Sequence, residues 1–455
     1  MKQELLKKYS IPVPRYTSYP PANFFNESLS AGSYRDNIVK SNEQNPQHIS
    51  IYIHIPFCYQ MCFYCGCNSQ LLKNDHVIKD YIDALKKEIR MVLPLLDHSR
   101  KISQIHYGGG TPTSQPVSVL KEINQMILSE FECIQNPEIA IECHPGYMDE
   151  AYWDELIDAG FNRISIGVQD FDEDVLKASN RKLSRIPVAD IVKILKDRGM
   201  SLNMDFIYGL PLQTPASFAK TINQAISLKP DRIVTFSYAH VPWVNELQKN
   251  LEKIGLPSVS VKNEIYETAK QLLIDAGYKA IGLDHFVQPG DELYEALQSK
   301  SLHRNFQGYC TRRTTGQVYA FGITGISQLA NAYSQNTKDL NTYISQVNAG
   351  QYPIAKGYEL NKDEQITREV IASLMCNYTV SWRDIASRMD ASVDEVKSAL
   401  NYNCEQLADF KKDGVIEFTE DYITVVPEAA PFVRNVAASL DKLMLNNEKK
   451  YSKPV

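Results

Sequence analysis

Three cysteines, Cys58, Cys62 and Cys65, stand at a C-x3-C-x2-C spacing within Tyr52-Ile53-His54-Ile55-Pro56-Phe57-Cys58-Tyr59-Gln60-Met61-Cys62-Phe63-Tyr64-Cys65-Gly66-Cys67. A loop this short can aim three thiolates at one point. Three thiolates on a cubane [4Fe–4S] cluster leave one iron without a protein ligand. That iron can chelate a small molecule, and S-adenosylmethionine offers an amino and a carboxylate group for the purpose. One electron from the reduced cluster then cleaves the sulfonium and yields a 5′-deoxyadenosyl radical. Two other readings stay open on spacing alone. One is a Cys3His zinc site that uses His54, and the other is a buried cysteine-rich turn. Cys67 could be a fourth ligand, although the Gly-Cys step after Cys65 is expected to point it away.

The elements that must hold this loop are legible as a repeat. β-type runs occur at 49–57, 102–107, 139–143, 163–168, 202–208 and 232–239. Helical apolar spacing follows the first five, at 77–96, 116–131, 151–159, 186–198 and 216–228. Alternating strand and helix predicts a parallel sheet with right-handed crossovers. The fold class expected is therefore α/β, a partial or open (β/α) barrel, with chemistry at the C-terminal ends of the strands. Residues 1–48 read as an extended, proline-marked arm, 49–360 as the barrel domain, and 361–455 as a mostly helical, winged-helix-like domain. In that last part 380–386 and 392–409 look like consecutive helices and 414–426 like a hairpin. The segment reads either as a DNA-binding unit or as a scaffold covering the barrel mouth, and the acidic second helix favours the scaffold. The polar stretch 446–455 is expected to be a frayed tail.

Composition narrows the class. In 455 residues, 48 Lys and Arg face 54 Asp and Glu, a net charge of −6. A mainly electrostatic nucleic-acid binder would be basic. No apolar run is long enough for a membrane span, and residues 1–8 lack the pattern of a secretory signal. A cytoplasmic chain with no nucleic-acid or membrane partner is expected. Nine cysteines are an odd number for a disulfide framework. Cys133, Cys143, Cys310, Cys376 and Cys404, scattered along the chain, are expected to be buried small hydrophobes.

The cysteine loop, followed one βα unit later by Gly108-Gly109-Gly110-Thr111-Pro112-Thr113, resembles the radical S-adenosylmethionine superfamily. Pro14-Arg15-Tyr16-Thr17-Ser18-Tyr19-Pro20, Asp284-His285-Phe286 and Leu302-His303-Arg304-Asn305-Phe306-Gln307-Gly308-Tyr309 narrow the likeness. Nearly end to end, the chain is similar to the oxygen-independent coproporphyrinogen III oxidase family. The resemblance implies cluster ligation by Cys58, Cys62 and Cys65. It places Tyr52 near the sulfonium of a first S-adenosylmethionine, with Tyr64, Gly109, Glu142 and Ile326 as further contacts. His54, on the same strand face as Tyr52, either tunes the cluster or is a satisfied core histidine. A second S-adenosylmethionine is implied at Gly110, Thr111, Gln169, Arg181, Asp205 and Ala239. Arg15 and Arg304 are candidates to clamp substrate propionates.

The activity implied is oxidative decarboxylation of two propionates of coproporphyrinogen III to vinyl groups, giving protoporphyrinogen IX. A flavodoxin- or ferredoxin-like low-potential electron donor and a monomeric chain are expected with it. A heme or porphyrin carrier without turnover is the alternative of a different class. Replacing Cys58, Cys62 or Cys65 by Ser should abolish the brown cluster, whereas Cys67→Ser should retain it. Iron and sulfide analysis after anaerobic reconstitution checks this, and a cluster that survives Cys65→Ser but not Cys67→Ser would reverse the ligand assignment.

Overall fold

Residues 5, 8, 9, 11–72, 74–445, 449 and 451 are described in the computed structural model of the chain. Most of 1–8 and most of the expected tail 446–455 lie outside them. The six predicted strands are β1 (Ile49–Ile55), β2 (Ile102–Gly109), β3 (Cys133–Cys143), β4 (Arg163–Gln169), β5 (Ser201–Tyr208) and β6 (Arg232–Ser237). They are parallel neighbours in that order. The connecting helices include Asp75–Val92, Val117–Leu128, Glu150–Asp158, Val188–Asp197 and Pro215–Leu228. Local chemistry starts them: Asn74 and Asp149 accept from backbone N–H groups of the first turn, and Thr214 and Ser217 form a capping box ahead of Pro215.

A seventh parallel strand, β7 (Gln317–Phe321), was not anticipated. It pairs with the free side of β1, far away in sequence. The whole sheet has twelve strands, and its edges, Ile354–Glu359 and Lys279–Ile281, are not bonded to each other. The barrel is therefore open.

Strand alternation decides what each face carries. Ile164, Ile166 and Val168 of β4 and Leu202, Met204 and Phe206 of β5 are buried against helix residues such as Ile191, Leu195, Phe218 and Ile222. Each such side chain contributes roughly 1.5–3 kcal/mol relative to exposure. The alternate residues face the lumen and are polar: Gln104, His106, Glu138, Glu142, Ser165, Asn203 and Asp205. They bond across the strands, as in Ser165 to Asp205 at 2.7 Å and His106 to Glu142 at 3.2 Å. Arg163 and Arg232 flank Glu138, and Arg232 pairs with Asp291 at 2.7 Å, closing the strands' N-terminal end.

The hairpin Leu302–Asn305/Gly308–Thr311 reaches into the barrel from its open side. Asn305 donates to Gln104 in the lumen. Behind it, Leu302 exchanges two hydrogen bonds with Asn377 of helix Lys362–Asn377. The C-terminal unit thus backs this hairpin. Its helices also correct the sequence reading. Thr379–Ser381 is a strand, helix Trp382–Met389 begins only after it, and 392–409 splits into Val393–Ala399 and Cys404–Lys412 at Leu400–Asn403. Pairing of Thr379–Ser381 with Tyr422–Val425 overrides local helical preference. The arm is not wholly extended, since it carries helix Ala31–Lys40, whose Tyr34 and Ile38 join the barrel core. Tyr16 and Tyr19 donate to Asp441 of the C-terminal unit at 2.8 and 3.1 Å. Among the scattered cysteines, Cys143, Cys310 and Cys376 are buried, Cys133 is half-buried, and Cys404, at a helix start, is exposed.

Glu88 ties the added strand to the first barrel helix. It accepts from Tyr343 at 2.5 Å, from Asn336 at 2.7 Å and from the Gly322 N–H at 2.8 Å. Glu88→Leu should lower stability by about 3 kcal/mol or more, because three buried donors lose their acceptor at about 1–3 kcal/mol each. Chemical denaturation of the two proteins measures the difference, and an unchanged midpoint would mean that these bonds contribute nothing net.

Candidate active site

The cysteine loop leaves β1 at Pro56 and is held first by the backbone of β2. Gly110 N–H donates to Ile55 O at 2.8 Å and Thr111 N–H to Phe57 O at 3.0 Å. Glycine is required there by contact. A Cβ at Gly110 would lie 2.5 Å from Pro56 O and 3.0 Å from Cys58 Sγ. A Cβ at Gly109, whose φ is +114°, would meet the His54 ring at 2.8 Å. At Gly108 it would meet Glu142 Oε1 at 2.9 Å and the Tyr52 ring at 3.1 Å.

Two further segments grip the loop. Gln60 donates to both oxygens of Asn180, Asn180 donates to Met61 O at 2.8 Å, and Phe63 N–H donates to Ser179 O at 3.0 Å. Asn245 donates to Cys65 O at 2.7 Å, and Gln248 bridges the carbonyls of Tyr64 and Ala239. Cys58 Sγ lies 3.3 Å from Thr111 Oγ1. Arg181 Nη1 lies 3.6 Å from Cys62 Sγ, and its other Nη donates to Gly167 O. The Tyr64 hydroxyl is buried beside Cys62 and Arg181. Cys67 is exposed, but its thiol turns back to that of Cys65 instead of pointing away.

The donor set separates the metal readings. Among the described residues no three His, Cys, Asp or Glu side chains converge closely enough to hold a single ion. A zinc site needs every ligand about 2.0–2.3 Å from one point. His54 is also fully engaged. Its Nδ1 accepts from Tyr52 OH at 3.1 Å and its Nε2–H donates to Asn68 O at 3.0 Å, so it has no lone pair left for a metal. Burial lowers its pKa, which keeps it neutral. A cubane places each thiolate on a different iron. The three thiols share one space, with Cys62 and Cys65 close enough for their charges to bear on the Cys58 thiol, and Gly110 leaves room beside Cys58. The residues fit a cluster.

Around this loop the lumen carries paired polar groups. The Tyr52 ring stacks on His106 with centroids 6.0 Å apart. Burial lowers the His106 pKa, but the carboxylates of Glu142, Glu138 and Asp205 together outweigh it and leave it raised. Glu142, with a 45% exposed side chain, faces open space. Burial raises the Asp205 carboxyl to about 6, although Ser165 and Asn203 both donate to it. Gln169, at φ +71°, carries a buried Oε1 with no partner. Asp284 pairs with His285 at 2.6 Å, and its carboxyl, which burial would raise, is lowered by His285, Arg304 and Arg15. Arg304 stacks on Tyr309 at 4.9 Å. The arm and the hairpin therefore set the charges of Arg15 and Arg304 within electrostatic reach of Asp284.

Residues 52–225 match the family model described as the Radical SAM superfamily. The oxygen-independent coproporphyrinogen III oxidase of Helicobacter pylori is 37% identical, covering 99% of this chain and 98% of the relative. That of a Synechocystis species is 36% identical over 98% and 96%. The chain belongs to the oxygen-independent coproporphyrinogen III oxidase family. The solved coproporphyrinogen III oxidase of Escherichia coli, described as a radical SAM enzyme, superposes with a TM-score of 0.88 at 34% identity, covering 97% of this chain and 98% of that one.

For a member of this oxidase family, the cofactors are a [4Fe–4S] cluster and S-adenosylmethionine. Tyr52, His54, Gly109, Gly110, Thr111 and Glu142 meet around the cysteine loop, and Gln169 and Arg181 meet at Gly167 beside it. Ala239 is exposed at the end of β6, tied to the loop through Gln248. Ile326 stands two strands from Tyr52, packed with Phe25, Tyr333 and Leu360. Sequence reasoning missed His106, Asn180, Asn203, Asn245 and Gln248. Polar residues alternating with apolar ones on β2 and β5 could have revealed His106 and Asn203, whereas no local signal marks the others. Because Asp205 titrates near 6, its carboxylate is lost below that pH. Affinity for S-adenosylmethionine, measured on cluster-loaded protein, should weaken as pH falls through about 6, and Asp205→Asn should flatten that limb. A flat wild-type profile would remove Asp205 from the cofactor contacts.

Proposed function

We infer that the chain decarboxylates two propionate side chains of coproporphyrinogen III to vinyl groups without oxygen, giving protoporphyrinogen IX in heme biosynthesis. The observation that carries this reading is kinship at 34–37% identity across nearly the whole chain, with a three-thiol loop opening onto a polar lumen. When bound, the cluster and S-adenosylmethionine supply the 5′-deoxyadenosyl radical that takes a hydrogen atom from the propionate β-carbon. Loss of CO2 and of one electron then leaves the vinyl group.

The chain's own residues position and exclude. Gly108–Gly110 let a methionyl group approach the backbone beside the cysteine loop. Glu142 offers a carboxylate to a ribose diol, and Tyr52 and His54 wall the sulfonium side. Gln169, with its unpaired Oε1, and Asp205 suit a second S-adenosylmethionine, and Arg181, its two Nη groups held by Cys62 and Gly167, sets a positive charge beside a methionyl carboxylate. Coproporphyrinogen carries four propionates, and Arg15 and Arg304, whose charges both reach Asp284, are the clamps this reading assigns to them. A flavodoxin- or ferredoxin-like donor, a monomeric state and a cytoplasmic location complete the reading. Among the described residues no helix is long and apolar enough to cross a membrane.

Anaerobic reaction of the reconstituted protein with S-adenosylmethionine, a reductant and coproporphyrinogen III tests the activity, with CO2 and vinyl product as the readout. Arg304→Ala should leave 5′-deoxyadenosine formation nearly intact and cut vinyl product by on the order of 30-fold, the scale of a truncated buried charge pair. Equal loss of both products would make Arg304 a structural residue, and unchanged product would remove it from the substrate site.

A further inference from the structure

A second cavity lies away from the cysteine loop. It encloses about 510 Å3 between arm residues Tyr16–Tyr19, the 302–311 hairpin and helix Lys362–Asn377. Ligand pockets begin at roughly 300 Å3. Its walls hold Arg304, Arg312, Arg368, Arg388 and Lys362 against two acids, Glu369 and Asp390. Glu369 is shared, 3.1 Å from Arg312 and 3.4 Å from Arg388. Arg368 spends its Nη groups on the carbonyls of Leu329 and Ala330. Positive charge therefore exceeds negative in a half-enclosed space, where screening by solvent is weak.

The same walls carry polar atoms left without a partner. Arg304 Nε, Arg312 Nε, the Tyr333 hydroxyl and Gln328 Oε1 are all buried and unbonded, and all four residues line this one cavity. A buried donor without an acceptor costs about 1–3 kcal/mol. Three unpartnered donors within these walls and a cation excess around the cavity favour an oxyanion.

We propose that this cavity is a binding site for a small multivalent oxyanion, carrying carboxylate or phosphate groups, held chiefly by Arg312 and Arg388. The site also touches the lumen, because Arg304 lines the cavity while its charge acts on Asp284. An anion in the cavity sets its charge against the same guanidinium that lowers the Asp284 carboxyl, and so couples cavity occupancy to the lumen. The proposal does not depend on which macrocycle the lumen takes.

Calorimetric titration of the cluster-loaded full-length protein tests it anaerobically at low ionic strength. The probes are tricarballylate, which lacks the hydroxyl that helps citrate chelate iron, and pyrophosphate. Saturable binding of at least one is expected, and the probe that binds identifies carboxylate or phosphate as the source. Arg312→Gln and Arg388→Gln should each weaken binding by about tenfold, the scale of a lost charged contact. Glu369→Gln should strengthen it several-fold, since it removes the carboxylate that competes for the same arginines. Opposite signs from substitutions within one ion-pair cluster would not come from a general loss of fold. Absence of saturable binding by both probes, or equal affinity in all four proteins, would overturn the proposal.

Discussion

The backbone of Gly108–Gly110 lies against β1, the cysteine loop and the Glu142 side chain at distances that no β-carbon permits. Five neighbours depend on those three missing side chains: Glu142 and Tyr52 at Gly108, the His54 ring at Gly109, and Pro56 with Cys58 at Gly110. The two backbone hydrogen bonds from Gly110 and Thr111 then set where the loop turns away from β1. The thiols are aimed by this contact, and the Asn180, Asn245 and Gln248 side chains keep the aim by satisfying loop carbonyls. The loop is thus over-determined from three directions, which is what a preorganised site requires.

The lumen follows from alternation along the same strands. One face buries isoleucine, valine, leucine and phenylalanine against the helices. The other must accommodate polar groups, and it does so by pairing them across strands, since a buried polar group without a partner is costly. His106 with Glu142, Ser165 with Asp205 and Arg163 with Glu138 satisfy that condition. The unpaired sheet edges leave a gap in the barrel wall. The 302–311 hairpin and the C-terminal helix behind it fill the gap with Arg304, Tyr309 and Asn305.

Within β1 to β6 and their helices, local pattern and tertiary structure agree, because each element is long enough for its period to show and is neighboured by the next in sequence. β7 escaped notice because Gln317–Phe321 is only five residues long and pairs with β1 across most of the barrel. The C-terminal strand Thr379–Ser381 was hidden in the same way, as its partner lies beyond three helices.

By itself the sequence determined the parallel βα framework, the three-thiol loop and its place after a strand, and the glycine run one unit later. These are local: spacing within a loop and periodicity within an element are written in neighbouring residues. Only the tertiary structure decided that both His54 nitrogens are occupied, that Arg181 reaches Cys62, and that the charges of Arg15 and Arg304 both reach Asp284. Those facts depend on side chains brought together from elements far apart in the chain. Such distances are set by packing of the whole sheet and its covering units, which no local spacing encodes.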